Sequence, residues 1–242
     1  MLMYDVPLFP LGVVLFPQMN LPLRIFEPRY RQMIADCIDN GTSFGVVLIK
    51  EGDEVKQVAN ERANVRLHSV GTLAKITQVV KLDDGTLLIT TIGTERFYLK
   101  SHQEVKPYLT GNIEIYPEGA IQTESNEIQT LVNQITASFE NYFEVLQALA
   151  NRRIEKIEVP TDPALLSYFI PHWLRISLEE KQALLEMPAP RERLLEEHLL
   201  ILRETESLMK LKDTISQEIE DNKNNENQNR PPNNIASRFS RN

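Results

Sequence analysis

The apolar residues of this chain change their spacing once, near residue 117, and that change restricts what the chain can fold into. Before it they recur every second residue or in short continuous runs; after it they recur every third or fourth. A strand presents alternate side chains to one face, whereas a helix returns to the same face about every 3.6 residues. The expected class is therefore α+β, with strands first and helices second.

Leu21, Leu23 and Ile25 alternate with Pro22 and Arg24, the pattern of a half-buried strand. Phe44 to Ile49 is a continuous apolar run suited to burial on both faces. Gly71 to Val80 and Thr86 to Ile92 flank Asp84-Gly85, a hairpin signal because glycine accepts the positive φ of a tight turn. Arg96 to Leu99 and Tyr108 to Tyr116 are expected as further strands, with Gly93 permitting a bulge. One helix interrupts them: Pro28 suits its first turn, Tyr30, Met33, Ile34, Cys37 and Ile38 share its spacing, and Asn40-Gly41 stops it. Such a set points to a small barrel or curled sheet. The prolines from Pro7 to Pro28 suggest an extended, ladder-poor chain along a sheet edge.

In the second half, Ile128, Leu131, Val132, Ile135, Phe139, Phe143, Leu146 and Leu149 mark one helical face. Asp162-Pro163 opens another helix, which Pro171 is expected to end or kink. Ser177 and Glu180 form a capping box at the head of a third. A long final helix carries Leu194, Ile201, Leu208, Ile215 and Ile219, with Leu195, Leu199, Leu202 and Met209 widening its stripe. From Asp221 the composition is Asn, Gln, Glu and Pro, which is expected to stay disordered. The expected divisions are a strand-rich unit over 1–117, a helical bundle over 118–220 and a polar tail over 221–242.

Composition narrows the function. The formal charge is −8, and residues 118–220 hold 10 basic against 19 acidic side chains, which opposes binding to phosphate backbones. Cys37 is the single cysteine, so no internal disulfide forms, and its position on the helix suits a small buried hydrophobe. His68, His102, His172 and His198 are scattered, no phosphate-binding glycine loop exists, and no serine sits in a nucleophile elbow. No cofactor and no metal are expected. Glu179-Glu180 and Glu196-Glu197 read as solvated helix faces. Met1 to Pro10 lacks the basic start of a signal peptide, and no run is long enough to span a membrane. A cytoplasmic location is the expectation. Arg24, Glu27, Arg29 and Arg31 read as an ion-pair lock at a strand-to-helix junction, with an anion or peptide-carboxylate clamp as the alternative.

Several segments together resemble the N-terminal substrate-binding domain of Lon-type ATP-dependent proteases, and the stand-alone bacterial proteins built from it. They are Pro7 to Leu11, Ile25 to Tyr30, Phe44 to Leu48, Gly71 to Ile76, Asp84-Gly85, Gly93 to Phe97, Pro107-Tyr108, Glu180 to Glu186 and Arg193-Leu194. The resemblance implies a PUA-like β-barrel with one embedded helix, followed by an α-helical bundle with a long C-terminal helix. It brings no catalytic residue, and the polar tail stands where ATPase and Ser-Lys protease domains would follow, so a non-enzymatic role is expected.

The function implied is binding of unfolded, tagged or apolar polypeptide segments, with an adaptor to a separate ATP-dependent protease as a variation. Candidate peptide-binding residues are Met19, Arg24, Phe26, Met33, Tyr168, Phe169 and Trp173. The last three surround Pro171, with bundle core as their plainer role. The long helix is a candidate homodimer or docking element. PUA-like barrels also occur in RNA-binding proteins, the alternative that the acidic second half opposes.

Overall fold

The computed structural model describes residues 4–51, 65–119, 126–150 and 157–228. Among the described residues are seven strands, β1 (Tyr4–Leu11), β2 (Asn20–Ile25), β3 (Phe44–Glu51), β4 (Arg66–Leu67), β5 (Val70–Lys81), β6 (Leu87–Gln103) and β7 (Thr110–Ile115). The helices among these residues are α1 (Pro28–Asn40), α2 (Asn126–Ala150), α3 (Pro163–Trp173), α4 (Leu178–Glu186) and α5 (Pro190–Gln228). All seven strands belong to one sheet, and the helices, α1 excepted, follow it in sequence.

The prolines of β1 do not leave it at an edge. Its first half pairs antiparallel with β7, from Tyr4 opposite Ile113 to Pro7 opposite Thr110. Its second half runs parallel to β3, from Leu8 opposite Gly45 to Leu11 opposite Leu48. Pro7 and Pro10 are accommodated because the strand changes partner between them. Pairings β3–β5, β5–β6 and β6–β7 then complete a circuit through five strands.

β6 is one strand of 17 residues, where the sequence suggested two. The interruption at Gly93 is a bulge: Thr94 and Glu95 oppose Leu73 alone, between the pairs Ala74–Gly93 and Thr72–Arg96. Glycine is required here by close approach, since a Cβ would meet the Phe16 carbonyl oxygen at 2.4 Å. The Gly93 amide and carbonyl bond to Met19 and Gln18, pinning the β1–β2 loop across the strand. At the other end of the hairpin Gly85 takes φ 78°, and the Asp84 carboxylate accepts the Thr86 amide.

Beyond the bulge, the first half of β6 carries β2 on one side and β5 on the other. α1 covers one face of this three-stranded lobe. Its Tyr30, Met33, Ile34 and Cys37 pack with Ile25, Ile89 and Phe44 in a continuous core. Burial pushes the Cys37 thiol pKa up, against smaller downward contributions from neighbouring groups. A smaller cluster of Leu8, Val47, Phe97 and Ile113 fills the inside of the circuit.

α2, α3 and α5 pack around Phe139, Tyr142, Leu166, Ile170, Leu194 and Ile201. The capping box forms as read, with Ser177 Oγ accepting the Glu180 amide and Glu180 accepting the Ser177 amide. Pro171 lies inside α3, which runs two residues past it to Trp173. Other readings of the helices need correction. Glu197 is fully buried rather than solvated. Leu195, Leu199, Leu202 and Met209 are exposed, because they lie off the Leu194–Ile201 face that meets the bundle. α5 also continues to Gln228, past Asp221 where the tail was expected to begin; residues 229–242 lie outside the described residues. No helix among the described residues is long and apolar enough to cross a membrane.

Candidate functional site

The crease between sheet and helices is closed by a polar joint. Arg96, fully buried on β6, meets Glu118 with two parallel hydrogen bonds of 2.8 and 2.7 Å. Its Nη1 donates to the carbonyls of Leu185 and Met187 at the end of α4, at 2.6 and 2.7 Å. The guanidinium lies over Tyr116 with 4.1 Å to the ring centroid. Tyr116 donates to the Glu186 carbonyl, and Gln182 of α4 donates to the Val70 carbonyl of β5. Four of the five N–H donors of this planar, delocalised cation are directed at fixed acceptors, an arrangement that Arg supports and Lys does not.

Tyr168 completes the joint. Its hydroxyl donates to Glu118 at 2.6 Å, and burial pushes its own pKa up to about 12. Burial raises the Glu118 carboxyl, but the hydrogen bonds from Arg96 and Tyr168 outweigh this and hold it below the usual carboxylate range. Trp173 is partly buried, edge-on to Phe143 and tilted against Phe169. Tyr168 and Phe169 are only 6% and 8% exposed, so these candidates face the joint and the bundle core.

The candidates of the strand half divide in the same way. Met33 is fully buried beneath the lobe, and Met19 is half-buried between the two larger cores. Arg24 and Phe26 reach solvent, Phe26 being 65% exposed. The proposed lock is only partly assembled: Arg29 pairs with Glu27 at 2.6 Å, while Arg31 donates to the Gly85 carbonyl and Arg24 stays outside it.

Register shows what Arg24 belongs to instead. Arg24 stands opposite Leu88, and Leu88 opposite Val80, so the three form one row across β2, β6 and β5. Directly opposed residues share a face of the sheet. Leu88 and Val80 are 40% and 45% exposed, on the face that α1 leaves uncovered. Sequence reading missed both, since Val80 and Leu88 carry no signal of exposure within β-rich runs. The expectation that one face of such a hairpin stays open gives the only hint. Among the described residues no group of three or more His, Cys, Asp or Glu is placed to hold a metal ion.

The architecture is a seven-stranded sheet with one embedded helix, joined to a helical bundle and carrying an exposed apolar row. Comparison with known proteins makes the family specific. Residues 5–203 match the family of the ATP-dependent protease La (LON) substrate-binding domain, and the chain belongs to that family. It is 30% identical over 194 residues to Lon protease 1 of Hydrogenovibrio crunogenus, covering 80% of this chain and 23% of that protein. It is 23% identical over 218 residues to Lon protease 1 of Herpetosiphon aurantiacus, covering 90% of this chain and 26% of that one. The chain therefore spans about a quarter of the length of these relatives. The fold matches the crystal structure of a Lon N-terminal domain protein from Xanthomonas campestris, with a TM-score of 0.57 and 24% identity over 80% of this chain and 96% of that one. It also matches the N-terminal domain of a Mycobacterium avium complex Lon protease, with a TM-score of 0.58 and 19% identity over 82% and 98%.

Proposed function

We propose that this protein is a non-catalytic polypeptide-binding module that engages unfolded or apolar segments on the outer face of its β2–β6–β5 lobe. The row Arg24–Leu88–Val80 carries the reading: apolar side chains kept in solvent on a rigid sheet beside a cation. Phe26 follows β2 directly and adds a large exposed ring. A contiguous apolar surface on a soluble fold marks an interaction site. Family membership supports the ligand class. The five-strand pairing circuit supports the PUA-like barrel description, whose outer lobe would then act as the presenting surface.

Met19 and Met33 act here as packing beneath the lobe. Tyr168 acts through the joint that holds the two parts together, and Phe169 and Trp173 act as packing in the bundle core. As an adaptor, the module would present bound segments to a separate ATP-dependent protease. The exposed Leu199 and Leu202 on α5 would supply a contact to that protease or to a second copy of this chain.

The test is capture of a permanently unfolded protein, carboxymethylated lactalbumin, by the full chain in fluorescence anisotropy. Leu88→Asp and Val80→Asp should each weaken capture about tenfold, while Leu199→Asp leaves it unchanged and alters only assembly, read by sedimentation. Capture unaffected by either lobe variant removes the lobe from the proposal.

A further inference from the structure

A cavity of about 430 Å3 lies against the strand circuit, lined by residues of β1, β5, β6 and β7. That volume lies within the roughly 300–1,000 Å3 typical of ligand pockets, which recur at the mouths of closed sheets. Its walls include Val6 of β1, Leu73 of β5 and Ile115 of β7, with Thr42 and Ser43 of the α1–β3 connection beside them. Its floor is Ile113, which is 1% exposed and belongs to the inner cluster with Leu8, Val47 and Phe97. The cavity therefore borders the apolar interior of the circuit.

Two carboxylates stand at the rim. Asp5 accepts one hydrogen bond, from the neutral Asn112 amide at 3.3 Å. Glu95 is one of the two β6 bulge residues opposite Leu73, and it is exposed. Among the described residues neither forms an ion pair, whereas Glu114 on the adjacent β7 is paired with Lys100 at 2.6 Å. An apolar well beneath two unneutralised anions selects a ligand that is apolar at its tip and cationic beside it. A bare cation leaves the well empty, and an acidic ligand meets repulsion at the rim.

We infer that this cavity is a second binding site, distinct from the outer face of the lobe, which takes an apolar side chain flanked by lysine or arginine on an extended polypeptide segment. The inference rests on the polypeptide-binding reading for its ligand class and adds to it a charge preference. The bulge at Glu95 then has a role beyond bending β6. It carries one carboxylate to the rim while the next residue, Arg96, turns into the joint. The net charge of −8 favours encounter with such segments, more so at low ionic strength.

The test uses the full chain and fluorescein-labelled nonapeptides in which leucine alternates with lysine, glutamine or glutamate, followed by fluorescence anisotropy. The leucine–lysine peptide should bind tightest, with affinity that falls as sodium chloride is raised. The double variant Asp5→Asn, Glu95→Gln keeps size and shape at two exposed positions. It should weaken the lysine peptide about tenfold and leave the glutamine peptide within about twofold, as expected for two surface charge contacts. Thermal unfolding of the variant, unchanged from the parent, shows that the fold is intact. Equal affinity of variant and parent for the lysine peptide overturns the site and leaves the lobe proposal standing. Capture of unfolded lactalbumin without any preference among the three peptides does the same. Failure to bind both lactalbumin and all peptides overturns the polypeptide-binding reading and this inference with it.

Discussion

Arg96 and Arg193 donate to the same acceptor. The carbonyl oxygen of Met187 receives Nη1 of Arg96 at 2.7 Å and Nη1 of Arg193 at 2.9 Å, and both arginines are fully buried. Tyr168 lies beneath both, 5.5 Å from one guanidinium and 4.1 Å from the other. Two cations converge on one α4–α5 turn because Glu118 neutralises the first and electron-rich ring faces line both. The turn is thus tied to the sheet from one side and to α3 from the other.

Loss of Arg96 should therefore be felt in both halves at once. Arg96→Ala leaves the Leu185 carbonyl without its side-chain donor and Glu118 without its cation, while Glu118 is half exposed and can be rehydrated. A destabilisation of about 3–5 kcal/mol in urea unfolding is expected for breaking a buried ionic network. Arg96→Lys should recover only a small part of it, since an ammonium cannot reproduce the two parallel bonds.

Arg193 explains how α3 tolerates Pro171. A proline has no amide hydrogen, so the Ser167 carbonyl, four residues earlier, loses its helical donor. Arg193 Nε supplies a donor to that carbonyl at 3.2 Å and also bonds the Ser167 hydroxyl. The two residues should be energetically coupled. Arg193→Leu is expected to cost about 3 kcal/mol. The same change should cost about 0.5–1.5 kcal/mol less in a Pro171→Ala background, where the helix supplies its own donor. A double-mutant cycle by equilibrium unfolding reads the difference.

Glu197 predicts a pH dependence of the opposite sign to an ordinary paired carboxylate. It is fully buried one turn from Arg193, and neither oxygen has a hydrogen-bond partner. Burial raises its pKa well above the usual carboxylate range, with Arg193 opposing the shift more weakly. The folded protein thus binds this proton more tightly than the unfolded chain does. Its contribution is fully present below the ordinary carboxylate pKa and is lost as pH rises through the raised folded value. Glu197→Gln should flatten that loss. Glu197→Leu should stabilise the protein at neutral pH by about 1–3 kcal/mol, the cost of an unsatisfied buried group. Parallel urea titrations at pH 5 and pH 8 check both.

A local control comes from Ser177, whose hydroxyl accepts the Glu180 amide at 3.1 Å. Ser177→Ala should lower stability by about 1 kcal/mol without changing peptide binding, because the cap is remote from the lobe. Chemical denaturation and the anisotropy assay separate the two effects.

The elements were legible wherever the physics is local. The alternation of Leu21, Leu23 and Ile25, the Asp84-Gly85 turn, the Asp162 cap and the Ser177–Glu180 box all read correctly, because each depends on neighbours within a few residues. Glu197 read wrongly, and how α3 accommodates Pro171 was not legible at all. Both depend on how α5 packs in the bundle, and nothing in local spacing says that α5 brings the Arg193 guanidinium to the orphaned Ser167 carbonyl or buries Glu197. The Arg24–Leu88–Val80 row was equally hidden, since exposure of Leu88 follows from which face α1 covers.

By itself the sequence determined the two periodicities, the family resemblance and the ends of most helices, since these express the short-range geometry of strand, helix and turn. Only the tertiary structure decided that the proline-bearing β1 closes a circuit between β3 and β7. It alone placed Arg96 and Arg193 on one carbonyl, and left an apolar cavity beneath Asp5 and Glu95. Those outcomes depend on which distant surfaces meet, and burial, pairing and charge neutralisation are properties of the meeting rather than of either segment.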